Sequence, residues 1–580
     1  MKNPMNSETR IFKECNIKFP IEADDVEFYE KFKVPAPVRC PDCRQRRRYS
    51  WRNERVLYRR NCDLCGKSTV TIYSPNKPFK VYCPPCWWSD KWSALDYGCD
   101  FDFSKPFSPQ WQELQREVPR IALLTKNSLN SEYTNHAADS KNCYLSFGVF
   151  DSENVMYSTN VFPGRDCADC YRMETSAELM YECINAYRSY ECQYSILIWD
   201  CTDCMYCYDC KGCSHCFLSS NLRNKQYYFL NQPCTKEEYR KKVKAFQLGS
   251  YAEREKLYTQ FVGLVRNSAL HCFAKVEKSE NVSGNMIFNS KNIQHGFDVD
   301  RVQDGKYVIV SLETKDSMDS YHYGFKCELI YESHALVRCY DVKFTHLSYD
   351  NSHLEYCDSC HNSENLFGCV GVKAGKYSIF NKRYEEKEFA ALKEKIIAHM
   401  KQTGEYGEFF PPALSPFGYN ETQGQVYMPL TKEEATVKGY KWEDIVPGTF
   451  GKETLKPEAI PDDISAVQDS IVKEALACVQ CRRNYNIVQA ELDLYRRMQI
   501  PIPRLCPECR YRRRLELRLP RKLWHRKCSC AGAMSENSSW KNTGRHSHGN
   551  SHCEVSFETP YAPEREEIVY CEQCYQAEVA

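Results

Sequence analysis

The sequence predicts a mainly β protein with helical caps, built around a duplicated β-solenoid that two metal-binding modules flank. Two observations lead to this fold class. Cysteine pairs of the form Cys-x2-Cys recur near both ends of the chain with matching spacing. A short motif with a turn-forming Asn, Asp or Glu recurs about every twelve residues through the middle of the chain. Such a fixed short period is typical of a repeat architecture, and paired thiols are typical of zinc sites.

Length and composition indicate several folded domains. The chain has 580 residues, of which 42% are hydrophobic and 27% charged, enough for several packed cores. It has no run of about eighteen apolar residues and no apolar stretch typical of a secretory signal, so we expect a cytoplasmic protein without a membrane partner. In a reducing compartment, 35 cysteines favour metal binding over disulfides. The net charge of +1 means that any attraction to nucleic acid must come from local clusters.

A terminal module occurs twice in the chain. Four cysteines near the N-terminus recur 466 positions later, and three more recur 488 positions later. The C-terminal copy therefore carries an insertion of 22 residues. We expect an N-terminal zinc-binding module over residues 1–100 and a C-terminal one over residues 476–580. The matched pairs are Cys15 with Cys481, Cys40 with Cys506, Cys43 with Cys509, Cys62 with Cys528, Cys65 with Cys553, Cys83 with Cys571 and Cys86 with Cys574.

These cysteines predict four-thiolate zinc sites, because two knuckles of the form Cys-x2-Cys can close a tetrahedron around one ion. We expect three to four zinc ions in the chain. In the last set, Cys528 and Cys530 compete for one place, and the insertion adds His546, His548 and His552. One zinc with a spare thiol and an interleaved pairing of knuckles both remain open. The predicted sets are Cys62, Cys65, Cys83 and Cys86; Cys478, Cys481, Cys506 and Cys509; and Cys528, Cys553, Cys571 and Cys574.

One further group of thiols is incomplete. Cys15, Cys40 and Cys43 match three ligands of the second set, but Phe12 stands in the place of Cys478. Either a fourth ligand comes from elsewhere in the chain, or this knuckle holds by packing and binds no metal.

Residues between the cysteines carry a family resemblance. Each end of the chain, over roughly forty residues, is similar to the probable zinc-ribbon domain family, and the whole chain resembles uncharacterised cysteine-rich, zinc-ribbon-flanked proteins of candidate-phyla bacteria. The resemblance implies two zinc-ribbon-like modules that bind metal, and it names no reaction. Phe12 departs from the family pattern at the first site. The residues that carry the resemblance are Cys15, Phe19, Phe28, Tyr29, Pro37 and Cys40-Pro-Asp-Cys43-Arg, with a second copy from Cys478 to Arg510.

The middle of the chain predicts the duplicated β-solenoid. Two series of apolar or thiol residues recur about every twelve positions and superimpose at an offset near 150. A turn-forming residue before each of them would let one coil bury its inner face against the next. The first series is Cys143, Val155, Cys167, Leu179, Cys192, Cys204 and Cys216, and the second is Ile293, Met318, Leu329, Val342, Leu354 and Leu366.

Helical and irregular segments complete the predicted order. Charged helical runs from Thr235 and from Glu385 end the two solenoid halves and cap their open edges. A helix interrupted near Pro119 precedes the first half. The predicted segments are a helical connector over 101–134, solenoid halves with capping helices over 135–266 and 267–403, and a Pro-containing connector over 404–475.

Six cysteines from Cys201 to Cys216 are separated by two residues each, a spacing that an iron–sulfur cluster could use. However, Cys204 and Cys216 occupy repeat positions that Leu354 and Leu366 fill in the second half. We therefore expect these thiols to act as small buried apolar groups, although metal binding by them stays open.

Local charge suggests a function. Arginines directly follow one knuckle in each module, where a folded metal site would aim their guanidinium groups at phosphate oxygens. We therefore predict binding of RNA or DNA, with the solenoid as a spacer. The alternative is that these arginines form salt bridges inside each module or to the solenoid. The predicted nucleic-acid-binding residues are Arg44, Arg46, Arg47, Arg48, Arg510, Arg512, Arg513 and Arg514.

Two other classes of function are open. The solenoid face could bind a protein partner, as repeat surfaces commonly do, with the modules as folded caps. An enzyme is the least favoured hypothesis, because the chain carries none of the phosphate-binding, nucleophile-elbow or zinc-protease motifs.

Overall fold

The computed structural model describes residues 8–12, 15–321, 327–331, 340–343, 346–349, 351–445 and 447–579. The side chains of Leu329 and Val342 lie outside the described residues. Helix accounts for 25% and strand for 32% of the chain, so the protein is mixed rather than mainly β. In the part of the chain described here, no helix is both long enough and apolar enough to cross a membrane.

The N-terminal module combines short strands and helices, and a longer helix follows it. The helix Phe107–Glu117 ends before Pro119, as predicted, because Val118, the residue preceding the proline, takes an extended conformation. The helix does not resume after the proline, since the strand Arg120–Ile121 follows. The elements are β1 (Glu8–Phe12), β2 (Ile17–Ile21), α1 (Ala23–Lys31), α2 (Pro41–Tyr49), β3 (Tyr58–Asn61), β4 (Ser68–Thr71), β5 (Val81–Tyr82), α3 (Pro84–Trp87), α4 (Phe107–Glu117) and β6 (Arg120–Ile121).

A sheet of short, mostly parallel strands follows, here called the first ladder (residues 125–233). Two helices end it, and Thr235 caps the first of them through a capping box with Glu238. The elements are β7 (Thr125–Lys126), β8 (Asn135–Ala138), β9 (Phe147–Phe150), β10 (Glu153–Met156), β11 (Thr159–Ala168), β12 (Tyr171–Tyr181), β13 (Ile184–Tyr190), β14 (Ile196–Trp199), β15 (Thr202–Met205), β16 (Tyr208–Lys211), β17 (Ser214–Phe217), β18 (Gln226–Phe229), β19 (Gln232–Pro233), α5 (Lys236–Lys244) and α6 (Tyr251–Gly263).

The second ladder (residues 276–383) repeats this arrangement and ends in one long helix. The elements are β20 (Leu270–Cys272), which precedes it, and β21 (Val276–Glu277), β22 (Glu280–Phe288), β23 (Lys291–Asp300), β24 (Gln303–Lys306), β25 (Ile309–Leu312), β26 (Thr314–Met318), β27 (Cys327–Tyr331), β28 (Tyr340–Lys343), β29 (His346–Tyr349), β30 (Ser352–Glu355), β31 (Asp358–His361), β32 (Glu364–Phe367), β33 (Lys376–Ile379), β34 (Lys382–Arg383) and α7 (Glu386–Gln402).

The strand register explains the sequence period. In most rungs a residue pairs in parallel with the residue twelve positions later, as Ser214 does with Gln226. Positive φ recurs every third residue, for example at Asp151, Asn154 and Tyr157, and Asn and Asp tolerate this conformation better than most residues. The residues that follow these turns are buried and form the interior of each ladder.

The rest of the chain forms the connector and the C-terminal module. The connector contains short helices and turns, in keeping with its many prolines. The elements are α8 (Gln423–Tyr427), α9 (Lys432–Val437), β35 (Leu476–Ala477), β36 (Asn484–Tyr485), α10 (Gln489–Met498), α11 (Pro507–Leu515), β37 (Trp524–Lys527), β38 (Ser556–Thr559), β39 (Ile568–Tyr570) and α12 (Glu572–Val579).

The chain divides into two compact units, and each is discontinuous in sequence. Unit 1 contains residues 1–123 and 274–445, so it joins the N-terminal module to the second ladder. Unit 2 contains residues 124–273 and 446–580, so it joins the first ladder to the C-terminal module. Each module therefore folds with the ladder from the other half of the sequence, a pairing that the sequence pattern does not predict.

Each unit has a core that module and ladder share. In unit 1, Trp51 of the N-terminal module and Leu366 of the second ladder are both fully buried and belong to the same hydrophobic core. In unit 2, Tyr181 of the first ladder and Tyr495 of the C-terminal module are both buried, and their rings pack edge to face with centroids 5.7 Å apart. Loss of one such aromatic side chain typically costs about 3–5 kcal/mol, so these contacts hold module and ladder together.

Candidate metal centres and the neighbouring arginines

The first cluster joins two knuckles of the N-terminal module. Cys62 and Cys65 lie in the turn between β3 and β4, where Gly66 has a positive φ of 73°. Cys83 is the N-cap of α3, and its backbone N–H donates to Cys62 Sγ at 3.3 Å. With Cys86, the four sulfur atoms all lie within 4.8 Å of one another. Backbone geometry at both knuckles thus brings the predicted thiols to one point.

The second cluster is built the same way in the C-terminal module. Cys506 is the N-cap of α11, with a proline following it, and Cys481 Sγ lies 3.7 Å from Cys506 Sγ. Cys478 and Cys509 complete the group of four. The S–H group of Cys506 donates to Cys478 and lowers the pKa of that thiol to about 4, which favours the thiolate form that binds metal.

The third cluster contains Cys528, Cys553, Cys571 and Cys574, all buried. Cys553 Sγ lies 3.9 Å from Cys571 Sγ, and hydrogen bonding from Cys528 lowers the pKa of Cys571 to about 5. The structure thus places Cys528 in this group. Cys530, its competitor in the sequence, lies instead with His546, His548 and Cys574.

All three four-cysteine clusters fit a tetrahedral thiolate site. With Zn–S bonds of about 2.3 Å, a regular tetrahedron places its sulfur atoms about 3.8 Å apart. One S–S separation in each cluster agrees with this value: 3.9 Å for Cys65–Cys83, 3.7 Å for Cys481–Cys506 and 3.9 Å for Cys553–Cys571. Clusters at both ends of the chain could therefore hold metal ions.

The incomplete group remains a group of three. Cys15, Cys40 and Cys43 converge, with Cys15 Sγ 3.6 Å from Cys40 Sγ. Among the described residues, no fourth Cys, His, Asp or Glu joins them. Phe12, in the place of Cys478, is buried in the core of unit 1. The second cluster has a thiol at the position that corresponds to this aromatic ring.

The arginines of α2 face the second ladder. Arg44 Nε lies 2.9 Å and Arg48 Nη2 3.3 Å from the carboxylate of Asp319, and all three side chains are buried. Arg47 is also buried, with Nη1 2.9 Å from Glu408. Arg46 is half-buried.

The arginines of α11 repeat this arrangement on the first ladder. Arg510 Nε lies 2.9 Å and Arg514 Nη1 2.8 Å from the carboxylate of Asp169, again with all three side chains buried. Arg513 Nη1 lies 2.9 Å from Glu255. Arg512, in contrast, keeps 70% of its side chain exposed and contacts Glu508 at 3.1 Å.

The two arginine clusters are equivalent by sequence as well as by geometry. Arg44 and Arg510 differ by the module offset of 466, whereas Asp319 and Asp169 differ by the ladder offset of 150. Tyr307 and Tyr157 are also 150 residues apart. The guanidinium carbon of Arg44 lies 5.6 Å from the ring centroid of Tyr307, and that of Arg510 lies 4.7 Å from the ring centroid of Tyr157. These arginines bind carboxylates of their own chain, and the buried ones do not face solvent.

The six regularly spaced cysteines line the interior of the first ladder. Cys201 Sγ donates to the carbonyl oxygens of Trp199 at 3.3 Å and Cys210 at 3.5 Å. Cys204 and Cys207 make the same pair of contacts with their own neighbours. Their spacing follows from the inward direction of every third residue, and they act as small buried groups, as expected.

Comparison of the chain with protein-family models, curated proteins and solved structures finds no match. The four-cysteine clusters at both ends of the chain are compatible with zinc-ribbon-like modules.

Proposed function

We propose that this protein is a zinc-binding interaction scaffold in which each terminal module clamps one half of a β-solenoid, and the solenoid face binds a protein partner. The observation that carries the proposal is the paired arginine cluster. Arg44 and Arg48 close on Asp319, and Arg510 and Arg514 close on Asp169. Arginines placed in this way attach a module to its ladder rather than to an external phosphate.

The donor chemistry supports zinc as the ion. Four thiolates at tetrahedral spacing suit Zn²⁺ better than Mg²⁺ or Ca²⁺, which prefer oxygen ligands. Each of the three four-cysteine clusters would hold one ion. The ion of the first cluster would fix the start of α3 at Cys83, and the ion of the second cluster would fix the start of α11 at Cys506. The role of zinc here is to stabilise a fold, because all four positions are filled by protein.

The parallel register supports the solenoid. Pairing at a distance of twelve residues and burial of every third side chain are what a coil of four short sides requires. Each coil then buries its inner face only against the coils before and after it.

One exposed stripe of the first ladder supports a protein partner. It is the column of cross-strand neighbours Lys141, Glu153, Arg165, Glu178, Tyr190 and Thr202. The rungs of this ladder carry charges of both signs that pair with one another, such as Lys141 with Glu153 at 3.1 Å and Arg188 with Asp200 at 2.7 Å. A phosphate backbone would favour a surface of uniform positive charge. Tyr190, on the same stripe, keeps 40% of its surface exposed, and tyrosine is enriched at protein interfaces.

Site-specific photocrosslinking tests this proposal. A photoreactive amino acid at the exposed Thr202 position of the stripe should capture a defined protein in cells, and one at the exposed Lys438, directly after α9, should not. Loss of that adduct in the Tyr190→Ala variant would support recognition by the stripe. Adducts made only of nucleic acid, or equal capture from both positions, would contradict it.

Nucleic-acid binding is a second candidate, favoured by the exposure of Arg512 and of the charged strand β37, where His525 and Lys527 are 85% and 66% exposed. It predicts that affinity for RNA or DNA falls steeply with salt and that Arg512→Ala lowers the slope of log K against log salt by about 1. Fluorescence anisotropy with the zinc-loaded chain measures this slope. The absence of binding at low salt would exclude this candidate.

A further inference from the structure

The C-terminal module contains a second group of ligands that its N-terminal copy lacks. Cys530 Sγ, ligand nitrogens of His546 and His548, and Cys574 Sγ all lie within 4.8 Å of one another. Both histidines belong to the 22-residue insertion, and the residue that matches Cys530 in the N-terminal module is Leu64. Cys574 is also a member of the third four-cysteine cluster.

We propose that this module holds two zinc ions bridged by the thiolate of Cys574. Two tetrahedral ions present eight coordination positions, and seven residues fill them because Cys574 belongs to both groups. The proposal rests on zinc binding by the third cluster, which is part of the proposed function. The additional ligands are Cys530, His546 and His548.

The hydrogen bonds of His546 prepare one of its nitrogens for a metal. Its Nε2 lies 2.7 Å from Glu578 Oε1, and both side chains are buried. A carboxylate accepts the Nε2 proton, which leaves a lone pair on Nδ1, 3.6 Å from Cys530 Sγ. Histidine ligands of zinc commonly donate their second nitrogen to a carboxylate in this way.

Glu578 is itself fixed by the backbone of the insertion. It accepts the N–H groups of Thr543 at 2.9 Å and Gly544 at 3.0 Å. A Cβ atom on Gly544 would lie 2.1 Å from the carbonyl oxygen of Ala577. The insertion therefore lies so close to α12 that only glycine fits at this position. The carboxylate is therefore held in place for His546.

His548 is oriented by a second acceptor. Its Nδ1 lies 2.8 Å from the carbonyl oxygen of Ser551, which can only accept, so the proton sits on Nδ1. The Nε2 lone pair then faces Cys574 Sγ at 3.2 Å. Zn–N and Zn–S bonds of about 2.0 and 2.3 Å place a nitrogen about 3.5 Å from a sulfur ligand, a distance that lies between the two His–Cys separations of 3.6 and 3.2 Å.

The remaining histidine of the insertion provides a matched control. His552 Nε2 lies 2.6 Å from Glu536 and its Nδ1 2.9 Å from the carbonyl oxygen of Cys553. Both of its ring nitrogens thus face oxygen atoms, and it is outside the ligand group.

Metal counting tests the bridged site. The full chain is purified with zinc, and the zinc content per chain is measured by native mass spectrometry and elemental analysis. We expect the His546→Ala and His548→Ala double variant to lose one ion relative to the unaltered chain, and His552→Ala to lose none. An unchanged count in the double variant would overturn the bridge while leaving the four-cysteine sites intact. A chain with no zinc would overturn the proposed function as well.

Cadmium NMR on the unaltered chain tests the bridged site without relying on a variant that could fail to fold. After exchange of zinc for ¹¹³Cd, a shared thiolate should produce scalar coupling between one cadmium with four sulfur ligands and one with two sulfur and two nitrogen ligands. If the spectrum contains only uncoupled signals with four sulfur ligands, the bridged site does not exist.

Discussion

Replacement of Asp169 by Asn tests whether the arginine cluster clamps the C-terminal module to the first ladder. The substitution keeps the shape of the side chain but removes the one charge that Arg510 and Arg514 share at 2.9 and 2.8 Å. Removal of one partner from a buried ion pair typically costs about 3–5 kcal/mol. Glu182 at 3.1 Å from Arg514 and Glu491 at 3.5 Å from Arg510 offset part of this loss. We therefore expect a loss near the lower limit, about 3 kcal/mol.

Hydrogen exchange measures the effect where it occurs. A loss of about 3 kcal/mol corresponds to an increase of roughly 100-fold in the exchange rate of the slowest amides of α11. The control is Asp200→Asn, which removes an ion pair whose side chains are 54% and 42% exposed and should cost less than about 1 kcal/mol. If both variants change exchange in α11 by the same small factor, the arginines do not clamp the module.

Three further predictions concern metal, thiols and pH. Chelation of zinc should unfold both modules, because each structural zinc contributes on the order of 10 kcal/mol to the folding free energy. The ladders should stay folded, so far-ultraviolet circular dichroism should retain their strand signal, and loss of that signal would mean that the ladders also depend on metal. Cys207→Ser should leave the zinc content unchanged and cost little stability, because Ser195 occupies the inward position one rung earlier and its Oγ already accepts the N–H of Cys207 at 3.1 Å; a lost ion in elemental analysis would make Cys207 a ligand. Burial lowers the pKa of His271 to about 4, so the unfolded chain binds one more proton than the folded chain between pH 6.5 and 4. The unfolding free energy of unit 2 should therefore fall by about 3 kcal/mol as the pH falls through this range. If denaturation curves of His271→Gln show an equal fall of the unfolding free energy with pH, the loss belongs to other groups.

Cysteine spacing and the repeat period carried the predictions that a single sequence can support. The geometry of a knuckle is local, so the four residues from Cys62 to Cys65 are enough to predict it. The twelve-residue period predicts the strand register, because the same register repeats from rung to rung. The helices α2 and α11 were missed because charged and aromatic residues there mask the helical pattern. Their burial is decided by contacts with a ladder hundreds of residues away.

The arginines illustrate why tertiary partners are harder to predict than sites. A run such as Arg44 to Arg48 looks the same in a sequence whether it faces phosphate or a buried carboxylate. One signal was available, since Asp169 and Asp319 share the ladder offset as Arg510 and Arg44 share the module offset. The grouping of Cys530 with His546 and His548 had no such counterpart, because the insertion occurs only once.

The exchange of modules between the two halves has a consequence for biosynthesis. A chain made from its N-terminus exposes Arg44 and Arg48 long before Asp319 leaves the ribosome, whereas Asp169 is finished well before Arg510 is made. The N-terminal module is therefore made while its arginines still lack the carboxylate of the second ladder. The C-terminal module is made after the first ladder, so its arginines can bind Asp169 at once. Nascent chains of this protein should be most vulnerable to aggregation or proteolysis during that early interval.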